Sequence, residues 1–254
     1  MPRDVTLASE VRGALSVHPV ESVRDFGVDA FVTDRFNGVS TGDYASLNLG
    51  DHVGDDEAAV EENRRRVAEA VGVPRARLLT VRQVHGTTVK EAREVDATTR
   101  ADALLTDEED LALAILVADC LPVLVVDASS RRFAVVHAGW RGLAEGTIAS
   151  TLERFDDPHR VHVFIGPSIS LEGYQVGPEV AAHFRDVPRA VLADGGDRSR
   201  LDLRQVATTQ LVAAGVPDGQ VVRSLEVTDG GEVFFSDRAQ RPCGRFALVA
   251  KRAS

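Results

Sequence analysis

The chain has 254 residues and is 44% hydrophobic and 27% charged, the balance of a globular protein with a sizeable core. Its net charge of −10 argues against nonspecific binding to nucleic acid or an anionic membrane, and two cysteines are too few for a disulfide framework. Met1–Gly13 lacks the apolar segment of a secretory signal, and the longest apolar run falls short of a membrane span and is broken by Asp119. A cytoplasmic protein is expected.

Residues 1–25 carry little pattern. Val28–Val32 reads as a first strand. Phe36–Asp56, rich in Gly, Asn, Ser and Asp, reads as a long loop with one short strand at Ala45–Leu49; loops of this length inside a compact domain tend to be functional. Gly38–Gly42 fits the G-x-S-x-G nucleophile pattern, but that elbow needs a strand before it and a helix directly after it. Asp43–Gly50 continues as loop, so Ser40 belongs to a turn.

Asp55–Gly72 is the clearest helix. Asp55 or Asp56 can cap it, Val60, Val67 and Val71 share a face, and Gly72 and Pro74 stop it. Arg64 lies near that face and can reach inward. Leu78–Val89 reads as strands around a turn holding His85, and Ala101–Thr106 is a short segment holding Asp102. Leu111–Ala118, Leu121–Val126 and Phe133–Val136 follow almost end to end. Runs this continuous point to strands buried on both faces. Polar residues appear at their breaks: Asp119 and Cys120, then His137, Trp140 and Arg141.

A helix is predicted over Gly142–Phe155, a strand over Val161–Ile165, a helix from about Pro178, another over Asp202–Ala214, and strands at Val221–Val227, Phe234–Arg238 and Arg245–Val249. Strands outnumber helices and alternate with them irregularly. The fold class is therefore mixed-sheet α/β (mixed α+β), one domain over 1–254 with its core at about 28–250.

The sequence has no GxGxxG, Walker loop or HExxH. The zinc nucleobase-deaminase signature is also missing: no His is followed by x-Glu, and Pro242-Cys243 lacks a second Cys. What remains is His85, Cys120 and His137, separated by 35 and 17 residues. Each stands at a predicted strand end or turn beside small residues. Two imidazoles and a thiolate are three ligands for a tetrahedral Zn²⁺ whose fourth position stays open, the pattern of a catalytic site. The same residues also allow a Cys120–His137 dyad in which the imidazole activates the thiol. A core cysteine and a solvent-exposed turn histidine would satisfy the residue types as well.

At QVHG (Gln83–Gly86), ADCLPVL (Ala118–Leu124) and VHAGWRG (Val136–Gly142) the sequence resembles the YfiH-type polyphenol oxidase, or laccase-domain, family. Tyr44–Gly50, His52–Asp56, Glu62-Asn63-Arg64, Ala101–Leu104, Ile165–Pro167, Tyr174 with Val176-Gly177, and Phe235-Ser236 fit it too. The resemblance runs from about Phe31 to the C-terminus. It implies a layered α/β/β/α domain with mixed sheets and a catalytic metal site at His85, Cys120 and His137. It also implies zinc-dependent nucleoside chemistry: phosphorolysis of adenosine, inosine, guanosine and methylthioadenosine, and deamination of adenosine.

Phosphate would be the co-substrate, with Arg141, the helix start after it and Arg64 as candidates to hold it, and Asn48 and Tyr174 as nucleoside contacts. The chain departs from the family's pattern at Ser168, where Cys is frequent, at Glu226, and at Asp237-Arg238-Ala239, where the family has Tyr-Arg-Arg. Competing readings are a copper-dependent phenol oxidase, for which seven scattered His are few, and a Cys–His hydrolase or amidase acting on cell-wall precursors. A non-enzymatic binding protein is the fourth.

Overall fold

The computed structural model describes residues 1–253. Two large mixed sheets face each other. The first has seven strands in the order β1 (Arg3–Val5), β15 (Val221–Ser224), β11 (Val161–Ile165), β9 (Leu121–Asp127), β10 (Phe133–Ala138), β7 (Ala103–Thr106) and β6 (Val89–Glu91). The second has six, in the order β2 (Glu10–Arg12), β3 (Leu15–Pro19), β4 (Val28–Thr33), β16 (Phe246–Arg252), β8 (Ala112–Val117) and β5 (Leu78–Leu79). A small third sheet holds β12 (Gln175–Val176), β14 (Ser199–Leu201) and β13 (Val191–Ala193). Most neighbours are antiparallel, while β1–β15, β11–β15, β6–β7 and β5–β8 are parallel.

The alternation of side chains explains why the central runs are apolar at every position. On β8, Leu113, Ile115 and Val117 face the first sheet, meeting Leu124, Val126, Phe133 and Phe164. Ala112, Ala114 and Leu116 point the other way, toward Val67, Ala68 and Val71 of helix α1 (Glu57–Val71). On β9, Leu121, Val123 and Val125 face the opposite helical layer. That layer is built from α2 (Trp140–Glu145), α3 (Thr147–Leu152), α4 (Pro178–Ala181) and α5 (Leu203–Ala213). The result is the four-layer α/β/β/α arrangement with mixed sheets. No helix among the described residues is long and apolar enough to cross a membrane.

Asp56 caps α1, its carboxylate accepting the Ala59 N–H at 2.8 Å, and Asp202 caps α5 the same way through Gln205. Four expectations change. The helix predicted over Gly142–Phe155 starts at Trp140, ends at Leu152, and is cut in two at Gly146, whose φ of 94° no helix tolerates. Ala45–Leu49 is not a strand: the N–H groups of Ser46 and Leu47 share the one Arg35 carbonyl and that of Leu49 goes to Arg245, with no ladder. Phe234–Arg238 is loop, because Phe234 and Phe235 plug the inter-sheet core side by side. The unpatterned N-terminus supplies three strands: β1 forms the edge of the first sheet, and β2 and β3 the edge and the next strand of the second.

Candidate metal centre

Two turns and the end of a strand converge at one end of the paired sheets. His85 lies in the loop between β5 and β6, Cys120 in the tight turn from β8 to β9, and His137 near the end of β10. Their ligand atoms all lie within 4.8 Å of one another, and the two imidazoles meet edge to face with centroids 4.7 Å apart. Residues far apart in the sequence thus form one cluster.

Two buried carboxylates hold these turns. Asp102, which is fully buried at the start of β7, accepts a hydrogen bond at 2.8 Å from His137 Nδ1. It also accepts the backbone N–H groups of His85 at 2.8 Å and Gly86 at 2.7 Å. His85 sits in the left-handed region, at φ 60°, a conformation a non-glycine residue keeps only when its surroundings fix it. Asp102 supplies that fixing, and its bond to Nδ1 leaves His137 Nε2 for the cluster. Asp119, at φ 85°, ties the Cys120 turn to the C-terminal loop. It accepts the hydroxyls of Thr228 at 2.6 Å and Ser236 at 2.7 Å and the Arg238 N–H at 2.7 Å.

Gly139 completes the floor. A Cβ there would stand 2.9 Å from Cys120 Sγ and 3.0 Å from His85 Nδ1, so only glycine lets the β10–α2 turn pass beneath both groups.

Electrostatics follow from this packing. Burial opposes the Cys120 thiolate, but the charge and hydrogen bond of His137, helped by His85, outweigh it and bring the thiol down to about 6. Burial likewise opposes the His137 imidazolium, and Cys120 and Asp102 together hold it up at about 9. Burial also works against the Asp102 anion, yet the bonds from His137 and the Gly86 amide keep its carboxyl below the ordinary range. A thiolate and an imidazolium thus face each other near neutral pH, and the thiolate is the form that ligates metal.

The cluster lines a cleft of about 270 Å³ whose other walls include Trp140, Arg141, Tyr174 and Arg238. Arg141 and Tyr174, two of the sequence candidates, line the same cleft as the cluster. Burial, followed by the nearby Cys120 charge, pushes the Tyr174 phenol well above its ordinary value, so it stays a hydrogen-bond donor.

The two other sequence candidates lie elsewhere. Asn48 is fully buried and away from the cleft. Its amide donates to Gly50 O and Asp55 Oδ2 and accepts from the N–H groups of Gly50 and Arg245, so it braces the loop and has no donor or acceptor left for a ligand. Arg64 does reach inward, but into an adjoining cavity of about 970 Å³. There it donates to Leu49 O at 2.9 Å and pairs with Asp51 at 3.3 Å. The Gln83 amide, bonded both ways to the Leu116 backbone, belongs to the walls of both spaces.

Asp102 and Gly139 escaped the sequence reading as site residues. The signal for Asp102 was an unaccompanied carboxylate opening the apolar run of β7.

Comparison with known proteins agrees with the layered fold. Residues 29–253 match the family described as multi-copper polyphenol oxidoreductase laccase. A purine nucleoside phosphorylase of Corynebacterium glutamicum is 38% identical over 230 residues, spanning 85% of this chain and 91% of the relative. Another, from Pseudomonas aeruginosa, is 40% identical over 219 residues, spanning 84% and 86%. Among solved structures, YlmD from Geobacillus stearothermophilus superposes with a TM-score of 0.90 at 32% identity, over 98% of this chain and 99% of that one. YfiH of Bacillus licheniformis superposes with a TM-score of 0.89 at 29% identity, over 96% and 98%.

Proposed function

The chain belongs to the multi-copper polyphenol oxidoreductase laccase family, and from its site we propose that it is a metal-dependent purine nucleoside phosphorylase acting on small-molecule nucleosides with inorganic phosphate. The observation that carries the reading is the His85–Cys120–His137 cluster within 4.8 Å on the wall of a cleft that also holds arginines. The names of relatives such as the Corynebacterium glutamicum and Pseudomonas aeruginosa enzymes support it.

Two imidazoles and a thiolate suit zinc, and the absence of a side chain at Gly139 keeps the space beside Sγ and Nδ1 clear for an ion. When bound, zinc supplies Lewis acidity. The protein's own residues do the rest. Asp102 fixes the two histidines, the Tyr174 phenol offers a hydrogen bond within the cleft, and guanidinium groups meet the phosphate charge. In the reaction a phosphate oxygen bonds to C1′ of the sugar, the C1′–N9 bond breaks, and its electron pair leaves with the purine. The purine takes up one proton, and the ester formed from monohydrogen phosphate gives one up, so no outside acid is consumed.

The test is an assay panel of adenosine, inosine, guanosine and methylthioadenosine with and without phosphate, run beside metal analysis of wild type and Cys120→Ala. Phosphate-dependent release of free purine, with about one zinc per chain in wild type and none in the variant, supports the reading. Ammonia release from adenosine would add the deaminase activity. Full turnover by metal-free protein would overturn the metal requirement.

A second reading rests on the thiolate–imidazolium pair, which also suits a cysteine nucleophile. That enzyme would survive chelation and die on alkylation. The copper oxidase reading asks for several copper sites joined by electron transfer, whereas one His/Cys cluster is found among the described residues. Copper bound after growth in copper, with a thiolate–copper absorption band, would favour it.

A further inference from the structure

We infer that Arg141 and Arg238 form the site that captures inorganic phosphate, each held against an aromatic ring at the wall of the cleft. The inference rests on the phosphorylase reading and assigns that reaction's anionic co-substrate to two named side chains.

Arginines are unevenly free around this cleft. Arg241 and Arg245 both pair with Asp237, so an incoming anion must compete with a carboxylate already in place. Arg64, in the adjoining cavity, is held by Asp51 and by a backbone carbonyl. Arg141 and Arg238 line the cleft itself, are exposed, and among the described residues have no ion-pair partner. In a chain of net charge −10, two guanidinium groups left without a carboxylate beside one concave surface create a local field opposite to that of the whole protein.

Both guanidinium groups are backed by an aromatic ring. The Arg141 guanidinium lies 4.3 Å from the Trp140 ring centroid, and that of Arg238 lies 5.2 Å from the Tyr174 ring centroid. A cation–π contact with a ring holds a guanidinium in place without using up its N–H donors. Arg238 uses one of them on the Gln175 carbonyl, Nη1 donating at 3.0 Å. That bond anchors the side chain, while Arg141 makes no hydrogen bond from its guanidinium among the described residues. Position is also controlled from behind. The Arg238 N–H is bound to Asp119, the residue next to Cys120, so the loop carrying Arg238 and the turn carrying the thiol move together. Guanidinium groups with free N–H donors match phosphate oxygens, often two bonds at a time.

Trp140 is the chain's one tryptophan, so its fluorescence reports what happens to the Arg141 stack. The experiment titrates sodium phosphate into the purified holoenzyme at constant ionic strength, with sodium chloride as the control salt. In parallel, KM is measured for phosphate and for inosine in wild type, Arg141→Gln and Arg238→Gln. Arg160→Gln, at an exposed residue just before β11, at the end of that strand away from the cleft, and paired with Asp157, serves as the control for lost charge. The expected result is a saturable Trp140 change with phosphate in wild type, weakened about tenfold or more in Arg238→Gln, where the Trp140–Arg141 stack is kept. In both variants KM for phosphate rises about tenfold or more, while KM for inosine moves less than about twofold. The control variant behaves as wild type.

Phosphorolysis with an unchanged phosphate KM in both variants would overturn the clamp and leave the enzyme reading standing. Saturable phosphate binding that both substitutions abolish, in a protein that splits no purine nucleoside, would keep the clamp and remove the enzyme reading. A loss of equal size in Arg160→Gln would also overturn the clamp, since it would reduce the effect to general charge.

Discussion

Replacing Asp102 by Asn removes one charge and almost no volume, so its consequences can be worked out bond by bond. One carboxylate oxygen accepts from His137 Nδ1 at 2.8 Å and the His85 N–H at 2.8 Å. The other accepts from the Gly86 N–H at 2.7 Å and more weakly from Val84. An amide has a single acceptor oxygen. Whichever way it turns, its NH₂ faces a backbone donor that has no alternative tautomer, either at His85 or at Gly86. At least one charge-assisted bond is lost and a buried donor is left unmatched, together about 3 kcal/mol. For a chain of this size that corresponds to a Tm lower by about 6–12 °C in the metal-free protein. Because the same carboxylate orients two proposed ligands, zinc affinity should fall by about 10–100-fold. Differential scanning fluorimetry after chelation gives the first number, and competition with a chromophoric chelator gives the second. An Asp102→Asn protein with zinc affinity within about twofold of wild type and an unshifted Tm would refute the claim that this carboxylate assembles the site.

Thiol chemistry and packing make further predictions. In metal-free protein, iodoacetamide labelling of Cys120 should be half-maximal near pH 6, since the neighbouring imidazolium favours the thiolate. Going up in pH through that value switches labelling on, and His137→Gln should move the midpoint upward by removing the charge that lowers it. Cys243 stays silent over the same range, being 2% exposed and pushed up by burial, so mass spectrometry should find one label per chain, on Cys120. Gly139→Ala puts no strain on the backbone, which is extended at φ −79° and ψ 170°, but crowds Sγ and Nδ1. Its fold should survive while zinc binding weakens by about tenfold, and a variant that binds zinc normally would show the floor to be looser than drawn. Asn63→Ala removes donors to Ser40 Oγ, Ser46 O and Asn48 O and the acceptor for the Val39 N–H. A loss of about 3 kcal/mol in urea unfolding is expected, with proteolytic nicking first in the Phe36–Asp56 loop.

The sequence was most readable where the physics is repetitive. Continuous apolar runs such as Leu111–Ala118 pointed to strands covered on both sides, and they lie in the two facing sheets. The α1 helix announced itself through its Asp56 cap and its valine face. Legibility failed where a segment is held by single contacts. The edge strands β1 and β2 are three residues each and largely exposed, so burial imposes no pattern on them. Phe234-Phe235 looks like strand because it is apolar, but two adjacent buried phenylalanines fill a gap and make no ladder. On the sequence, Asn48 is a candidate nucleoside contact together with Tyr174. Its amide is instead wholly occupied in folding that loop onto Arg245.

The site shows the same division one level deeper. Cys120 and His137 could be singled out because each interrupts or ends a run that is otherwise apolar. Asp102 and Asp119 do so too, and by the same argument a carboxylate at such a place must find hydrogen-bond donors or remain a costly buried charge. The rule says that partners exist without saying which. For Asp102 they are the turn of His85 and the ring of His137, and for Asp119 they are Thr228, Ser236 and the Arg238 backbone, which lie more than a hundred residues downstream. Each carboxylate therefore joins a reactive side chain to a loop that would otherwise be free to move. One fixes the histidines relative to each other, and the other fixes the thiol relative to Arg238. With Arg141 and Arg238 as the phosphate clamp, Asp119→Asn should weaken phosphate binding without touching either guanidinium, and Arg238→Gln should leave the Cys120 labelling midpoint where it is. The coupling runs from the buried carboxylate outward, and the order in which these variants fail would trace it.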